Sequence, residues 1–457
     1  MKLERLIDAV KPLEVVGHAS VEVEELAHDT RAVRPGTLFF CVPGARVDGH
    51  DLAGAAVAAG AVALVVQRPL PHAVPQLVVA SVRDAMPAGA VEFFGDPSRE
   101  LEVAGITGTN GKTTTAFLLH AVLEAAGRRP GLLTNIERRV GGGGRPTGLN
   151  TPEAIDLQRL LRDMLRAGDR SCVMEATSIA AAQRRLAGTR FAVLVFTNLT
   201  QDHLDFHGTM DEYFAAKRGL FEQAERAVVN TGDEWGRRLA RELRSAGGVT
   251  VVEFAPGDGP LGTDLRLRGR FNRTNAAAAM WAARSLGIGD ETIRDGLESV
   301  AGVPGRFEAV DEGQPFEVIV DYAHTPDSLD NALRAARELG DRRLLVVFGA
   351  GGDRDRHKRP LMGRVARALA DRAIVTTDNP RSEDPATIAA EVAGGRLEIV
   401  LDRRTAIETA IDDARPGDVV LIAGKGADTE QELAHGTVPL DDRVVAREAL
   451  RRRTVPA

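Results

Sequence analysis

The segment Gly105-Ile106-Thr107-Gly108-Thr109-Asn110-Gly111-Lys112-Thr113 limits the possible folds more than any other part of the chain. It follows an apolar run, Leu101–Thr107, that reads as a strand, and opens a run, Thr113–Ala126, that reads as a helix. A glycine-rich turn between the two aims successive backbone N–H groups and a helix N-terminus at a phosphate. In such a loop Lys112 reaches the β- and γ-phosphates of a nucleotide and Thr113 reaches Mg²⁺. Ile106 departs from the pattern G-x-x-x-x-G-K-S/T, standing where its first glycine belongs. The strand and helix on either side make a chance lysine in a glycine-rich turn the weaker reading.

The loop sits in a longer alternation. After it, apolar strands are expected at Cys172–Ala176, Phe191–Asn198 and Ala227–Asn230, and after Gly302-Val303-Pro304-Gly305 the rhythm restarts with Phe316–Tyr322, Leu344–Gly349, Ala373–Thr377, Glu398–Leu401 and Val419–Ala423. Apolar strands alternating with helices form parallel sheets covered on both faces. Ahead of the loop, Leu38–Val42 and Ala63–Val66 read as strands, and Leu52–Val66 reads as a buried alanine-rich helix feeding the second of them. Asp96-Pro97-Ser98-Arg99-Glu100 is a polar, proline-bearing break. At 457 residues the chain exceeds one core, since domains average roughly 150 residues. The expectation is an α/β protein of three domains, 1–98, 99–304 and 305–457. The central one is a parallel-sheet phosphate-loop domain and the last is Rossmann-like. Gly141–Gly144 reads as a flexible loop tip beside Arg138 and Arg139.

The net charge of −7 supplies no field for a phosphate backbone, so nucleic acid is not an expected partner. The two cysteines, Cys41 and Cys172, lie in apolar stretches and read as small buried hydrophobes. The first sixteen residues carry too many charges for a signal peptide, and no apolar run reaches the roughly 20 residues of a membrane span. A monomer in the cytoplasm, away from membranes, is expected.

Met174-Glu175-Ala176-Thr177-Ser178 ends an apolar strand, at the sheet edge where α/β folds collect ligand-binding groups, and Glu175 is a natural Mg²⁺ ligand. The loop variant Thr107–Thr113 is similar to the phosphate loop of Mur ligases and folylpolyglutamate synthases, both amide ligases. The stretch Thr197-Asn198-Leu199-Thr200-Gln201-Asp202-His203-Leu204-Asp205-Phe206-His207-Gly208 resembles the Mur ligase segment whose first histidine binds a second Mg²⁺, which implies that role for His203. Lys217 follows at the spacing where that family carries a lysine carbamylated by CO₂. An ordinary lysine would repel Mg²⁺, whereas a carbamate is an anion with two hard oxygen donors.

The resemblance spans essentially the whole chain and implies further roles. ATP is held by Gly108, Thr109, Asn110, Gly111, Lys112, Thr113 and Thr114, with Asn272, Asn275, Arg306 and Asp321, the last on the ribose. Metal ligands are Thr113, Glu175, His203 and Lys217, and the catalytic set is Lys112, Glu175, His203, Lys217 and Arg306. ATP phosphorylates a carboxylate and an amine attacks the acyl phosphate, so no protein nucleophile is required.

Within the family the resemblance is to members that join meso-diaminopimelate to UDP-N-acetylmuramoyl-L-alanyl-D-glutamate. The UDP-linked muramoyl dipeptide is then bound by Thr30, Arg31, Asn150, Thr151, Ser178, Gln183 and Arg185, with Pro43–Gly49 as part of the uridine pocket and residues 1–98 as a UDP-substrate domain. The diamino acid is bound by Arg354, Asp378, Asn379, Arg381, Gly424 and Asp428, because Asp378-Asn379-Pro380-Arg381 marks diaminopimelate selectivity in the family. Three departures touch the acceptor side. Ala427-Asp428 stands where the family has His-Glu, Ile179 where it has His, and the stretch between Phe254 and Arg270 is shortened. A paralogous amide ligase of specialised metabolism, with another amine or carboxylate, therefore stays open.

Overall fold

A computed structural model describes residues 1–457 except 45–46, 148, 260–261 and 455–457. Three main sheets follow one another along the chain. The first orders its strands Glu14–Val16, Gln76–Val78, Ala61–Val66, Thr37–Phe40 and Glu25–Ala27, parallel but for the first. The alanine-rich run divides into a short helix, Ala53–Ala58, and the strand Ala61–Val66.

The central sheet has eight strands in the order Thr250–Phe254, Arg226–Asn230, Val193–Phe196, Glu102–Thr107, Ser171–Glu175, Pro130–Leu133, Glu137–Val140 and Gly143–Pro146. Its first six are parallel. Glu102–Thr107 lies between strands that come later in the chain, so the order switches direction beside it, which is where an open α/β sheet opens a crevice for ligand. The helices Lys112–Ala125, Arg270–Ser285 and Asp290–Ser299 cover one face. The run Ala276–Ala279 is fully buried there, small enough for helices to approach closely.

The last two strands of this sheet form an antiparallel hairpin where the sequence pointed only to a loop tip. Gly141 and Gly142 make its two-residue turn with positive φ (58° and 79°), the geometry that matches strand twist in such hairpins. Gly143 and Gly144 belong to the strand instead.

The third sheet orders Glu308–Ala309, Glu317–Asp321, Val419–Ala423, Leu344–Phe348, Arg372–Val375 and Glu398–Ile399, all parallel except the first. The strand expected to reach Leu401 is two residues long and exposed. A small hairpin, Glu430–Leu433 with Gly436–Pro439, folds beside this sheet, where the sequence pattern pointed to no strand. Cys41 and Cys172 are buried and unpaired. Among the described residues no helix is long and apolar enough to cross a membrane.

Candidate functional site

The carboxyl ends of the central and third sheets face one cavity of about 430 Å³. The strand before the phosphate loop runs on through Thr107, and Ile106 is fully buried between Glu175 and Val195. The turn therefore begins at Gly108, which is why a glycine at position 106 is not needed. Gly108 (φ +143°) lies so close to Thr197 that a Cβ would stand 1.9 Å from its Oγ1. Thr197 Oγ1 in turn donates to the Asn110 carbonyl (2.6 Å). Asn110 N–H donates to Asn198 Oδ1, and Thr109 N–H to the Asn198 carbonyl (both 2.9 Å).

Lys112 bends back over the loop and donates to the carbonyls of Gly108 (3.1 Å) and Thr109 (2.8 Å). Burial lowers its pKa, opposed by Glu175 and Asp202. Thr113, in the first turn of the helix, lies beside Glu175: its Oγ1 is 2.8 Å from Glu175 Oε1, 3.0 Å from Asn135 Oδ1 and accepts from Arg306 Nη2 at 2.9 Å. Asn135 N–H also donates to Glu175 Oε1 (3.1 Å). Thr114, one residue along the helix, lines the cavity.

Lys217 is 1% exposed. Its Nζ donates to the Gly108 carbonyl (2.9 Å) and lies 4.7 Å from the Tyr213 ring centre. Burial, then the Lys112 charge, drives its pKa well below the ordinary lysine value. His203 stands at φ +54°, and burial lowers its pKa to about 4 against the pull of Asp202. The ring is neutral near pH 7 and keeps a lone pair for a ligand. Asp202, held at about 2 by His203, His324 and Lys358 despite its burial, is an anion throughout that range. Among the described residues no three His, Cys, Asp or Glu side chains converge as a metal cluster.

Arg306 lies over the Tyr322 ring at 4.3 Å. Asp321 accepts from Phe307 N–H (2.7 Å), and burial raises its pKa to about 6. Asn275 donates to Asn272 Oδ1 (3.0 Å), and Asn272 to the Arg268 carbonyl (2.8 Å). Asn275, Arg306 and Asp321 line the cavity, whereas Asn272 supports it from behind.

The residues implied for the amino acid gather beyond this cavity, at the carboxyl end of the third sheet. Asp378 follows Arg372–Val375, and Gly424 follows Val419–Ala423. Asp378 Oδ1 accepts from Asn379 N–H (2.7 Å), while its buried Oδ2 has no hydrogen-bond donor. A Cβ on Gly424 would stand 2.5 Å from that oxygen. Asn379 Oδ1 accepts from Lys425 Nζ and from Glu432 N–H (both 3.0 Å). Arg381, at φ +52°, donates from Nε to Glu432 (2.7 Å) and from Nη1 to the Gly352 carbonyl (2.9 Å). Arg354 is exposed and donates to the Asp353 carbonyl (3.3 Å). Burial pushes Asp428 up to about 6.

Thr151 donates to the Glu175 carbonyl (2.8 Å) and accepts at its own carbonyl from Arg185 Nη1 (3.1 Å). Arg185 Nη2 donates to Gln183 Oε1 (2.6 Å). Ser178 and Asn150 line the cavity. Thr30 and Arg31 lie apart from it in a single turn of the first domain, with Arg31 exposed and paired to Asp29. Ala45 and Arg46 of the Pro43–Gly49 motif lie outside the described residues, as do two positions of the shortened stretch after Phe254.

Sequence reasoning missed Asn135, Asp202, His324 and Asp327. Asp202 and His324 stand inside motifs that supply other site residues, and the charge beside His203 could have pointed to them. Asp327 takes a hydrogen bond from Asn110 Nδ2 (2.7 Å) across 217 positions. Asn135 sits after a strand in a loop of no recognisable pattern, so neither of these two carried a local signal.

Three family models tile the chain: the Mur ligase family catalytic domain at residues 22–103, the Mur ligase middle domain at 106–259 and the Mur ligase glutamate ligase domain at 305–426. A protein of Solibacter usitatus named UDP-N-acetylmuramoyl-L-alanyl-D-glutamate–2,6-diaminopimelate ligase is 45% identical over 95% of this chain and 94% of its own. One of the same name from Geobacillus thermodenitrificans is 42% identical over 99% and 100%. A solved structure described by that name superposes with a TM-score of 0.66 at 29% identity, covering 98% of this chain and 99% of the other. The chain belongs to the Mur ligase family.

Proposed function

We propose that this chain is an ATP-dependent amide ligase of peptidoglycan precursor synthesis, joining meso-diaminopimelate to the γ-carboxylate of UDP-N-acetylmuramoyl-L-alanyl-D-glutamate. The observation that carries the ligase reading is the convergence of Lys112, Thr113, Glu175, His203, Lys217 and Arg306 on one cavity between two sheets. The substrate reading is supported by the shared name of relatives matching almost the full chain.

The acceptor carboxylate attacks the γ-phosphorus, an O–P bond forms, and the bond to ADP breaks. The amine then attacks the acyl carbon and phosphate leaves. Both steps bring anions together, so positive charge fixed in advance lowers the barrier. Lys112, folded over the phosphate loop, and Arg306, bonded to Thr113, would supply it in the same cavity. Asp321 is placed to hold a ribose hydroxyl, and the Gly108–Thr114 backbone to wrap the phosphates.

The donors fit Mg²⁺: the Thr113 hydroxyl and the Glu175 carboxylate 2.8 Å away would hold one ion, and the neutral His203 ring, which faces the same cavity, would hold a second. Bound there, Mg²⁺ would neutralise charge on the transferred phosphoryl group. Lys217 fits carbamylation. A buried amine that forms no ion pair among the described residues and is readily neutral is the form that adds CO₂, losing one proton and becoming an anion.

The amine of the incoming amino acid would find a partner in Asp378 Oδ2, a buried oxygen that lacks a donor. Such an atom is costly unless a ligand satisfies it. Phosphate release measured with a panel of amino acids and UDP-linked acceptors tests the whole reading. Turnover should require ATP, the UDP-linked dipeptide and meso-diaminopimelate together. Turnover of a different amine, with none of meso-diaminopimelate, would instead establish the paralogous ligase.

A further inference from the structure

The two arginines implied for the diamino acid stand on separate loops of the third domain, Arg354 after the strand Leu344–Phe348 and Arg381 after Arg372–Val375. Gly351 lies between them: a Cβ there would stand 3.2 Å from Arg381 Nη1 and 3.8 Å from Arg354 Cγ. Cationic side chains rooted on either side of one glycine repel. Asp353 (φ +53°) and Arg381 (φ +52°) both take the left-handed backbone that residues with a Cβ disfavour. Such an arrangement persists only where its surroundings hold it.

Arg359 does the holding. It lies in the first turn of the helix Lys358–Leu369 with its side chain 0% exposed. Its Nη1 and Nη2 donate to the two Glu383 oxygens (3.0 and 2.8 Å). Nη1 donates also to Glu391 (2.7 Å), and Nη2 to the Gly351 carbonyl (3.2 Å). Glu383 Oε1 accepts in turn from Asp353 N–H (2.6 Å), and the Asp353 carboxylate from Ser382 Oγ (2.7 Å) and N–H (3.2 Å). Gly352 N–H donates to the Asn379 carbonyl (2.9 Å), while a Cβ on Gly352 would stand 1.9 Å from the Pro380 carbonyl. The loops thus meet backbone to backbone, with one buried guanidinium bonded to both.

We propose, on the ligase reading above, that Arg359 is a positioning residue for amino-acid selectivity, setting the spacing of Arg354 and Arg381 by clamping Gly351 to Glu383. Buried without exposure, it cannot itself meet a substrate. A planar guanidinium makes these four bonds at once, whereas an ammonium is a point donor without the fork that spans a carboxylate. Desolvation offsets much of the attraction in a buried ion network, so what this one adds is a single arrangement of the two loops.

Arg359→Lys keeps the charge and loses the fork. Hydrogen exchange on the ligand-free, full-length protein should show the backbone amides of 351–355 and 379–383 exchanging about tenfold faster or more, with the phosphate loop unchanged. In steady-state turnover KM for meso-diaminopimelate should rise about tenfold while KM for ATP stays the same. The ratio of kcat/KM for diaminopimelate over lysine should fall toward that of Arg381→Ala. Added to Arg381→Ala, the lysine substitution should lower this ratio no further, because both remove the same contact.

An unchanged ratio overturns the proposal even where the loops exchange faster, since Arg359 is then a structural brace alone. Full additivity with Arg381→Ala overturns it too. If Arg359→Lys melts well below wild type, the same readings decide on Glu383→Gln, which keeps the shape of a side chain 22% exposed and removes its charge. Failure of the ligase reading shows in the wild type, as turnover indifferent to meso-diaminopimelate. The exchange of the two loops, and the same cycle run with the amine that is used, then read Arg359 independently.

Discussion

Lys217 shows how one side chain can carry more than its identity suggests. The sequence places a lysine fourteen positions after a histidine, and a family resemblance supplies the rest. The structure adds a physical reason. The ammonium is buried against a ring and one carbonyl, beside a second lysine, so its charged form is disfavoured. A neutral amine in that position is nucleophilic, and its carbamate would offset the neighbouring Lys112. Lys217→Ala should abolish turnover, and short carboxylic acids at high concentration should restore part of it by supplying the missing anion. Steady-state rates with and without added acetate or propionate check this, and full activity of the unrescued variant would refute it. Asn135 marks the limit of residue-level reading. Its hydrogen bond to Glu175 joins two strand ends, and nothing near it in sequence announces that.

At the scale of elements, what sequence could show depended on burial. Leu344–Phe348 and Val419–Ala423 are buried on both faces and read as unbroken apolar runs, so they were legible. The two hairpins were not, because Glu-Arg-Arg-Val and Glu-Gln-Glu-Leu are polar edge segments held by backbone pairing and not by a buried face. Nor did the sequence show how the last helix, Asp442–Thr454, is fixed. Arg403 and Asp442 form an ion pair in which both side chains are 0% exposed, and Arg403 also donates to the Ala423 carbonyl just before Gly424. Asp442→Ala leaves the guanidinium buried without its partner and should destabilise the protein by about 3–5 kcal/mol. Chemical denaturation reads that loss. A change below about 1 kcal/mol would mean that Asp378 and Asp428 compensate the charge.

For the whole molecule, selectivity depends on how the third domain meets the other two. Asn110 to Asp327 and Arg306 to Thr113 tie it to the phosphate loop, and this places the Asp378–Arg381 cluster beyond the cavity where the acyl phosphate forms. Arg381 is already oriented there by Glu432 and the Gly352 carbonyl, with Nη2 unengaged among the described residues. A distal carboxylate can use that free edge or displace the half-exposed Glu432. Such a charge-assisted contact contributes roughly 1.5–3 kcal/mol. Arg381→Ala should therefore raise KM for meso-diaminopimelate and narrow its advantage over lysine. On the proposed reading Asp428, one methylene shorter than the family's glutamate, would reach the distal amine by a loop shift or a bridging water, so Asp428→Glu should preserve or improve use of diaminopimelate. The same residue sets a pH dependence. Burial raises its pKa to about 6, so it is an anion above that pH and neutral below it. KM for the diamino acid should rise as pH falls through about 6, and Asp428→Asn should raise KM and flatten that rise. The measurement is kcat/KM for diaminopimelate, lysine and ornithine across this pH range with wild type and the three variants. If Arg381→Ala loses diaminopimelate and lysine turnover in equal proportion, the guanidinium orients the loop without reading the distal carboxylate, and selectivity lies elsewhere in the cluster.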